Sequence, residues 1–128
     1  MNVTHEKSKN YTDTWFTQRE IIFPLGEFDL YPCTQIPNPF VTANQHYEVE
    51  SLNGLLMPWK GRVWLNPPYS NAKPWLNRLA LHQNGIALIF GRTDTKLFHQ
   101  YVFCYADSIL FIEGRLKFLD INGVRRHN

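Results

Sequence analysis

Cysteine is scarce in this sequence, which contains two of them, Cys33 and Cys104, among its 128 residues. Neither lies in a Cys-x-x-Cys pair and the histidines are scattered, which argues against a structural zinc site. So few cysteines also argue against a small secreted domain held together by disulfides. We therefore expect the cysteines to be small buried hydrophobic residues or bystanders, and we expect no bound metal and a chain that works in the cytoplasm.

Long apolar runs are also missing. No stretch comes near the ~18 apolar residues that a membrane-spanning helix needs, and the polar first residues lack the apolar segment of a signal peptide. We therefore expect no membrane contact. The net charge is also small. The 13 Lys and Arg residues nearly balance the 11 Asp and Glu residues, which leaves a net charge of +2. That charge is too small to identify a nucleic-acid-binding protein by itself.

The composition is nevertheless that of a folded domain. Hydrophobic residues make up 44% of the chain and charged residues 19%, unlike a disordered chain, and aromatic residues reach 15%. The length suits one domain. We predict a flexible arm over residues 1–13, a domain over residues 14–119 and a frayed end over residues 120–128. The sequence leaves the oligomeric state open.

The first half of the chain predicts short elements. Thr17 followed by Glu20 fits a helix capping box, and Pro24 should end or bend that short helix. Residues 28–31 are typical of a strand, which the following proline should close. Residues 46–57 favour one or two helical turns.

From residue 61 onward the predicted order is β-α-β-α-β-β, which favours an α/β fold with a mostly parallel sheet. The continuous apolar run at residues 86–90 is typical of a strand buried on both faces. Parallel sheets bind ligands at the carboxyl ends of their strands. The predicted strands are 61–65, 86–90 and 108–112, with 115–119 as a hairpin partner, and helices begin near residues 71 and 94.

The most informative motif is the Asn-Pro-Pro-Tyr loop (residues 66–69), directly after the predicted strand 61–65. Its prolines stiffen the loop and leave carbonyl oxygens without local donors. The amide of Asn66 adds a second acceptor, and Tyr69 offers a flat face for a base. This set suits an extruded base that carries an amino group. The alternative is a turn between strand and helix with a buried tyrosine.

This loop and its surroundings resemble the phage DNA N-6-adenine methyltransferase (Dam-like) family, which depends on S-adenosylmethionine. The resemblance covers about residues 14–119. The segments that carry it, in order along the chain, are residues 15–17, 28–30, 59–70, Trp75 and 113–118.

The resemblance implies a compact Rossmann-like methyltransferase domain with a mostly parallel sheet, a C-terminal β-hairpin and a sheet that is cut short. It also implies transfer of a methyl group to adenine N6 in DNA, with site-specific or relaxed specificity, without metal. The catalytic residues would be Asn66, Pro67, Pro68 and Tyr69. The amide of Asn66 and the carbonyl of Pro67 would accept the amino hydrogens, and Tyr69 would stack on the ring. A phage or prophage origin, and action inside the bacterial host cell, follow from the same resemblance.

The cofactor residues that the resemblance implies are Thr17 and Asp29. A helix cap and a strand-end cap are their structural alternatives. The chain departs from the family at Tyr31, where a second acidic residue is usual, at Gln18, where proline is usual, and at residues 32–34, which replace a glycine-rich turn. These departures bear on cofactor binding more than on base binding.

The residues are also compatible with other functions. The same loop would accept the amino group of an RNA base or of a protein side-chain amide. The departures are also compatible with a non-enzymatic DNA-binding remnant of the family. Finally, the basic residues Arg115, Lys117, Arg125 and Arg126 would either contact phosphates or form a solvated hairpin edge.

Overall fold

A computed structural model gives the structure of the chain. It describes residues 17, 19–35, 40–48 and 53–116, together with the backbone of the short strands Phe118–Leu119 and Arg125–Arg126. The boundaries predicted for the arm, the domain and the frayed end stay predictions.

The centre of the fold is a parallel sheet of four strands. These are β1 (Leu30–Thr34), β2 (Gln45–Glu48), β3 (Val63–Leu65) and β4 (Gly85–Ala87). Their spatial order is β2-β1-β3-β4, and each neighbouring pair is parallel. The predicted α/β class with a mostly parallel sheet is thereby confirmed. All four carboxyl ends lie at one edge, which we call the carboxyl edge, and the four amino ends lie at the opposite amino edge.

Helical segments precede and connect the strands. Helix α1 (Arg19–Ile22) continues into a 3-10 turn (Phe23–Leu25) that contains Pro24, as predicted. Helix α2 (Ala72–His82) joins β3 to β4. A π-helical segment (Phe98–Phe103) follows β4. Within the described part of the chain, no helix is long and apolar enough to cross a membrane.

The core lies around β1 and β3, whose residues are all buried. The Trp64 ring packs on Phe28 at 5.5 Å between centroids. Trp59 is also buried and donates its indole hydrogen to the carbonyl of Gly54 at 2.7 Å. Both tryptophans therefore belong to the core, which accounts for part of the aromatic content.

Strand β1 differs from its predicted bounds, because it runs through Pro32 instead of ending there. The register between β1 and β2 shifts between Tyr31 and Thr34. An irregularity of this kind tolerates a residue that cannot donate to the ladder. The carboxyl end of β1 is consequently Thr34, three residues beyond the expected end.

The predicted helical turns at residues 46–57 are wrong at their start, where the chain forms strand β2. Tyr47 is the buried residue of this strand, and its hydroxyl donates to the carbonyl of Pro58 at 2.6 Å. Parallel pairing with β1 supplies the backbone hydrogen bonds that a helix would otherwise have formed.

The last predicted strands also need correction. Among the described residues, strand β4 is an outer strand of the sheet, and residues 86–90 are only partly buried, so this run is not covered on both faces. Residues 108–112 form no strand and are exposed. The antiparallel pair near the end joins β5 (Phe118–Leu119) to β6 (Arg125–Arg126), not 108–112 to 115–119. The apolar composition of residues 108–112 suits a strand, but it does not specify the partner strand with which they would have to pair.

Candidate active site

Strand β3 delivers the Asn-Pro-Pro-Tyr loop to the carboxyl edge of the sheet. Its last residue, Leu65, is fully buried, and Asn66 behind it is 7% exposed. Pro67 is buried, whereas Pro68 and Tyr69 are half-buried. A 3-10 turn (Tyr69–Asn71), closed by a hydrogen bond from the Asn71 amide to the Pro68 carbonyl, leads into α2. The two prolines end the strand here because neither can donate to the sheet.

The structure brings Thr17 and Asn66 together. The amide nitrogen Nδ2 of Asn66 donates to Oγ1 of Thr17 over 3.2 Å, and both side chains are buried. Because Nδ2 is committed to this bond, the orientation of the Asn66 amide is fixed and its oxygen Oδ1 takes the other side. A short amide held this way is a preoriented hydrogen-bond acceptor.

The backbone of Asn66 is held from β1. The buried thiol of Cys33 donates to the carbonyl of Asn66, with 3.6 Å between sulfur and oxygen. Burial raises the pKa of Cys33, so the thiol keeps its proton and remains a donor. Cys33 therefore serves as a positioning contact, and not as a nucleophile.

The tyrosine at the end of the loop contacts a second aromatic ring. The Tyr69 ring lies against Phe90, with centroids 4.0 Å apart and planes inclined by 38°. The Tyr69 hydroxyl is buried. Burial raises the pKa of Tyr31 well above its ordinary value, and the nearby Cys33 and Tyr69 add to that rise. The phenol of Tyr31 is thus neutral at the position where the resemblance implies an acidic residue.

The neighbouring strand β2 adds a carboxylate to the same edge. Its last residue, Glu48, is exposed and lies in register with Thr34. The Thr34 hydroxyl donates to the carbonyl of Tyr31 at 3.1 Å and contacts Nδ1 of His46 at 2.8 Å. The contact between Thr34 and His46 thereby holds β1 and β2 together near the carboxyl edge, where the Glu48 carboxylate is exposed.

Asp29 lies elsewhere, at the amino edge. Its carboxylate oxygen Oδ2 accepts a 2.7 Å hydrogen bond from the backbone amide of Arg62, the residue before β3. Gly61 adopts a φ of +75°, and a Cβ there would meet Oδ2 of Asp29 at 2.3 Å. At about 3.3 Å per strand residue, roughly 13 Å of β1 separates Asp29 from Cys33, which contacts Asn66. Its cofactor role stays a prediction, and its position indicates an alignment role for β1 and β3.

Of the residues that the sequence singled out, Thr17 and the whole Asn-Pro-Pro-Tyr loop meet at the carboxyl edge, and Asp29 does not. Sequence reasoning missed Cys33, Glu48 and Phe90 as neighbours of the site. Phe90 had an available signal, since it ends an apolar run at a predicted strand end. Glu48 had none, because its strand was predicted as helix.

The basic residues that could contact phosphates lie near the end of the chain. Arg115 is exposed, whereas Lys117 and the side chains of Arg125 and Arg126 lie outside the described residues. Among the residues that are described, no three His, Cys, Asp or Glu side chains gather where they could hold a metal ion.

Comparison with known proteins adds sequence relatives. Residues 4–128 match the sequence profile of the family described as DNA N-6-adenine-methyltransferase (Dam). The chain is 28% identical over 100 residues to the DNA N-6-adenine-methyltransferase of Haemophilus phage HP1 (strain HP1c1). That alignment covers 73% of this chain and 56% of the phage protein, so the chain spans little more than half of that relative's length. No solved structure matches the chain significantly.

Proposed function

The chain belongs to the DNA N-6-adenine-methyltransferase (Dam) family, and on that premise we propose that it transfers a methyl group from S-adenosylmethionine to N6 of adenine in DNA. The observation that carries this proposal is the buried hydrogen bond between Thr17 and Asn66 at the carboxyl edge. It presents the loop as an oriented acceptor set, where parallel sheets bind their ligands. We further propose that the four-stranded sheet is the core of a Rossmann-like methyltransferase domain.

In the proposed reaction the loop holds the adenine amino group. Oδ1 of Asn66 and the carbonyl of Pro67 each accept one amino hydrogen, while Tyr69 stacks on the ring and Pro68 fixes the path between them. Hydrogen bonds to both amino hydrogens make the nitrogen more tetrahedral and more nucleophilic in the transition state, where the stabilisation raises the rate. The Asn66 amide is oriented before substrate arrives, so little reorganisation of this acceptor remains.

The bonds change in one displacement. With S-adenosylmethionine held beside the loop, the amino nitrogen would form a bond to the methyl carbon as the bond from that carbon to sulfur broke, and the electron pair would stay on sulfur. One amino proton then leaves through an acceptor to solvent. Asn66 is an amide and holds no charge, so its part is to orient the amino group and polarise its hydrogens.

S-adenosylmethionine, when bound, supplies the methyl group on a positive sulfonium. The carboxyl edge suits such a molecule because it offers hydroxyl groups and an exposed acid. Thr17 lies beside Asn66, and Glu48 ends β2. We propose that the Glu48 carboxylate meets the ammonium group or a ribose hydroxyl, and that Thr17 borders the methionine end.

A methyl-transfer assay tests the proposal. The chain is incubated with unmethylated duplex DNA and S-adenosylmethionine that carries a labelled methyl group, and the DNA is then digested to nucleosides. Label in N6-methyladenine supports the proposal, whereas label on cytosine or none at all contradicts it. RNA and a glutamine-containing protein serve as competing substrates, and label on either of them with DNA inert favours the alternative targets.

A non-enzymatic DNA-binding role is the second candidate. The observation that favours it is the buried, neutral Tyr31 at a position where the family usually has an acid. Calorimetry with S-adenosylmethionine separates the two, because the enzyme is expected to bind it and the remnant is not. DNA binding without cofactor binding would favour the remnant.

A further inference from the structure

Phe90 lies against the ring of Tyr69, the residue proposed to stack on the base. The two ring centroids lie 4.0 Å apart, which is direct contact. A base stacked between the rings requires two layers at carbon contact distances, or about 7 Å. The pair as it stands therefore leaves no space for a third ring between the two, and Phe90 must move before a base can stack on the face of Tyr69 that it covers.

The surroundings of Phe90 permit that movement. The chain is anchored to β3 up to Leu88, whose amide donates to the carbonyl of Leu65 at 2.9 Å. Beyond that point Phe90 is 38% exposed, and a Cβ added at Gly91 would meet nothing within 4 Å. The guanidinium of Arg92 lies 5.6 Å from the Phe90 centroid. The backbone two residues before Phe90 is therefore held by β3, while the Phe90 ring is accessible to solvent.

We propose that Phe90 is the second aromatic wall of the base site. It withdraws from Tyr69 to admit an extruded purine and then stacks on the opposite face of that base, so that the base lies between the two rings. This inference rests on the proposed function and deepens it by assigning a residue that selects the substrate class. A purine has two broad faces to cover, whereas a side-chain amide has no ring to sandwich.

The physical advantage of a sandwich follows from stacking. A base held by Tyr69 alone would leave its other face in water, while a second ring removes that face from solvent as well. Arg92 lies over the Phe90 ring, where a cation is attracted to the aromatic face. A simple plug would instead compete with the base, and its removal would strengthen binding.

The test compares Phe90→Ala and Phe90→Trp with a matched control. Phe23 is the control because it is also an exposed phenylalanine with a guanidinium near its ring, that of Arg19 at 5.9 Å, and it lies in the 3-10 turn that precedes β1 along the chain. Steady-state methyl transfer to duplex DNA gives KM and kcat for each variant. Because Phe90 is partly exposed, its variants are expected to keep the wild-type denaturation midpoint.

We expect Phe90→Ala to raise KM for DNA about fivefold to 150-fold, the range found when a stacking aromatic is replaced by alanine. Phe90→Trp should restore most of the affinity, and Phe23→Ala should match the wild type. An unchanged or lower KM in Phe90→Ala would overturn the proposal and mark the side chain as a plug.

Binding of single-stranded oligodeoxyadenylate, followed by tryptophan fluorescence, separates this inference from the proposed function. If the wild type binds the oligonucleotide but transfers no methyl group, the proposed function fails while weaker binding by Phe90→Ala still supports the second wall. Equal binding by wild type and Phe90→Ala overturns the second wall alone. A wild type that neither binds nor methylates overturns both.

Discussion

Nδ2 of Asn66 donates a 3.2 Å hydrogen bond to Oγ1 of Thr17, although 49 residues separate the two along the chain. The bond joins the segment before α1 to the loop after β3 inside the buried part of the site. Thr17 therefore acts through Asn66 by fixing its amide, in addition to the cofactor contact that the resemblance implies. Several consequences can be measured.

Replacement of Thr17 by valine keeps the shape of the side chain and removes the acceptor. The Asn66 amide loses this hydroxyl partner, so we expect the free energy of unfolding to fall by about 1–3 kcal/mol. A misoriented amide should also lower kcat for methyl transfer by up to about 100-fold, while KM for DNA changes less. Thr93→Val, at an exposed position, is the control for both measurements. Wild-type kcat in Thr17→Val would contradict the orienting role.

The stacking role of Tyr69 predicts different results for two substitutions. Tyr69→Phe keeps the ring and should keep most of the DNA affinity. Tyr69→Ala removes the ring and should weaken DNA binding by about 1–3 kcal/mol in a fluorescence titration. Tyr105→Ala, which changes a tyrosine that is 60% exposed, is the matched control. If Tyr69→Phe were as weak as Tyr69→Ala, the hydroxyl rather than the ring face would be the important group.

Asp29 and Glu48 provide a paired test of which edge binds the cofactor. Glu48→Gln removes a charge at the carboxyl edge and should weaken S-adenosylmethionine binding by calorimetry. Asp29→Asn weakens the acceptor of the Arg62 amide, and it should lower stability by about 0.5–1.5 kcal/mol at unchanged cofactor affinity. The opposite pattern, with cofactor affinity lost in Asp29→Asn alone, would favour the role that the sequence predicted for Asp29.

His46 predicts a loss of stability in acid. Its Nε2 accepts hydrogen bonds from the amides of Thr42 and Ala43 at 3.3 and 3.2 Å, so the neutral ring keeps its proton on Nδ1, toward Thr34. Burial lowers the pKa of His46 from 6.5, although the Ala43 contact and Glu48 oppose that shift. The unfolded chain then binds the proton first, so stability is full above pH 6.5 and falls as pH drops through the lowered pKa.

The measurement for His46 is the urea midpoint between pH 7.5 and pH 5. We expect it to decrease in the wild type and to change less in His46→Gln, which cannot titrate. His99→Gln, at an exposed position, should behave as the wild type does. A midpoint with the same pH dependence in all three proteins would show that His46 does not carry the effect.

The sequence predicted the part of the site that depends on local signals. The glycine before β3 and the two prolines after it predicted this strand and its loop. Apolar residues at helical spacing predicted α2. The position of Asn66 at the end of a strand therefore followed from the order of elements alone. The partnership of Asn66 with Thr17 joins distant segments, and only the resemblance to a known family placed both residues in one site.

The misplaced elements depended on pairing between distant segments. Pro32 was expected to close its strand, which would put Asp29 close to the carboxyl end. The irregular register lets β1 continue to Thr34, and this moves the carboxyl end away from Asp29. The segment 108–112 has a strand-like composition, but a strand also needs a neighbour, which composition cannot provide.

The most direct test of the central claim is labelled methyl transfer by Asn66→Ala, measured beside cofactor binding by the same protein. If Asn66 orients and polarises the adenine amino group, kcat should fall on the order of 100-fold or more, the scale for removing one preorganised hydrogen-bonding group. Affinity for S-adenosylmethionine should stay near that of the wild type. Transfer to adenine at the wild-type rate in Asn66→Ala would contradict the account.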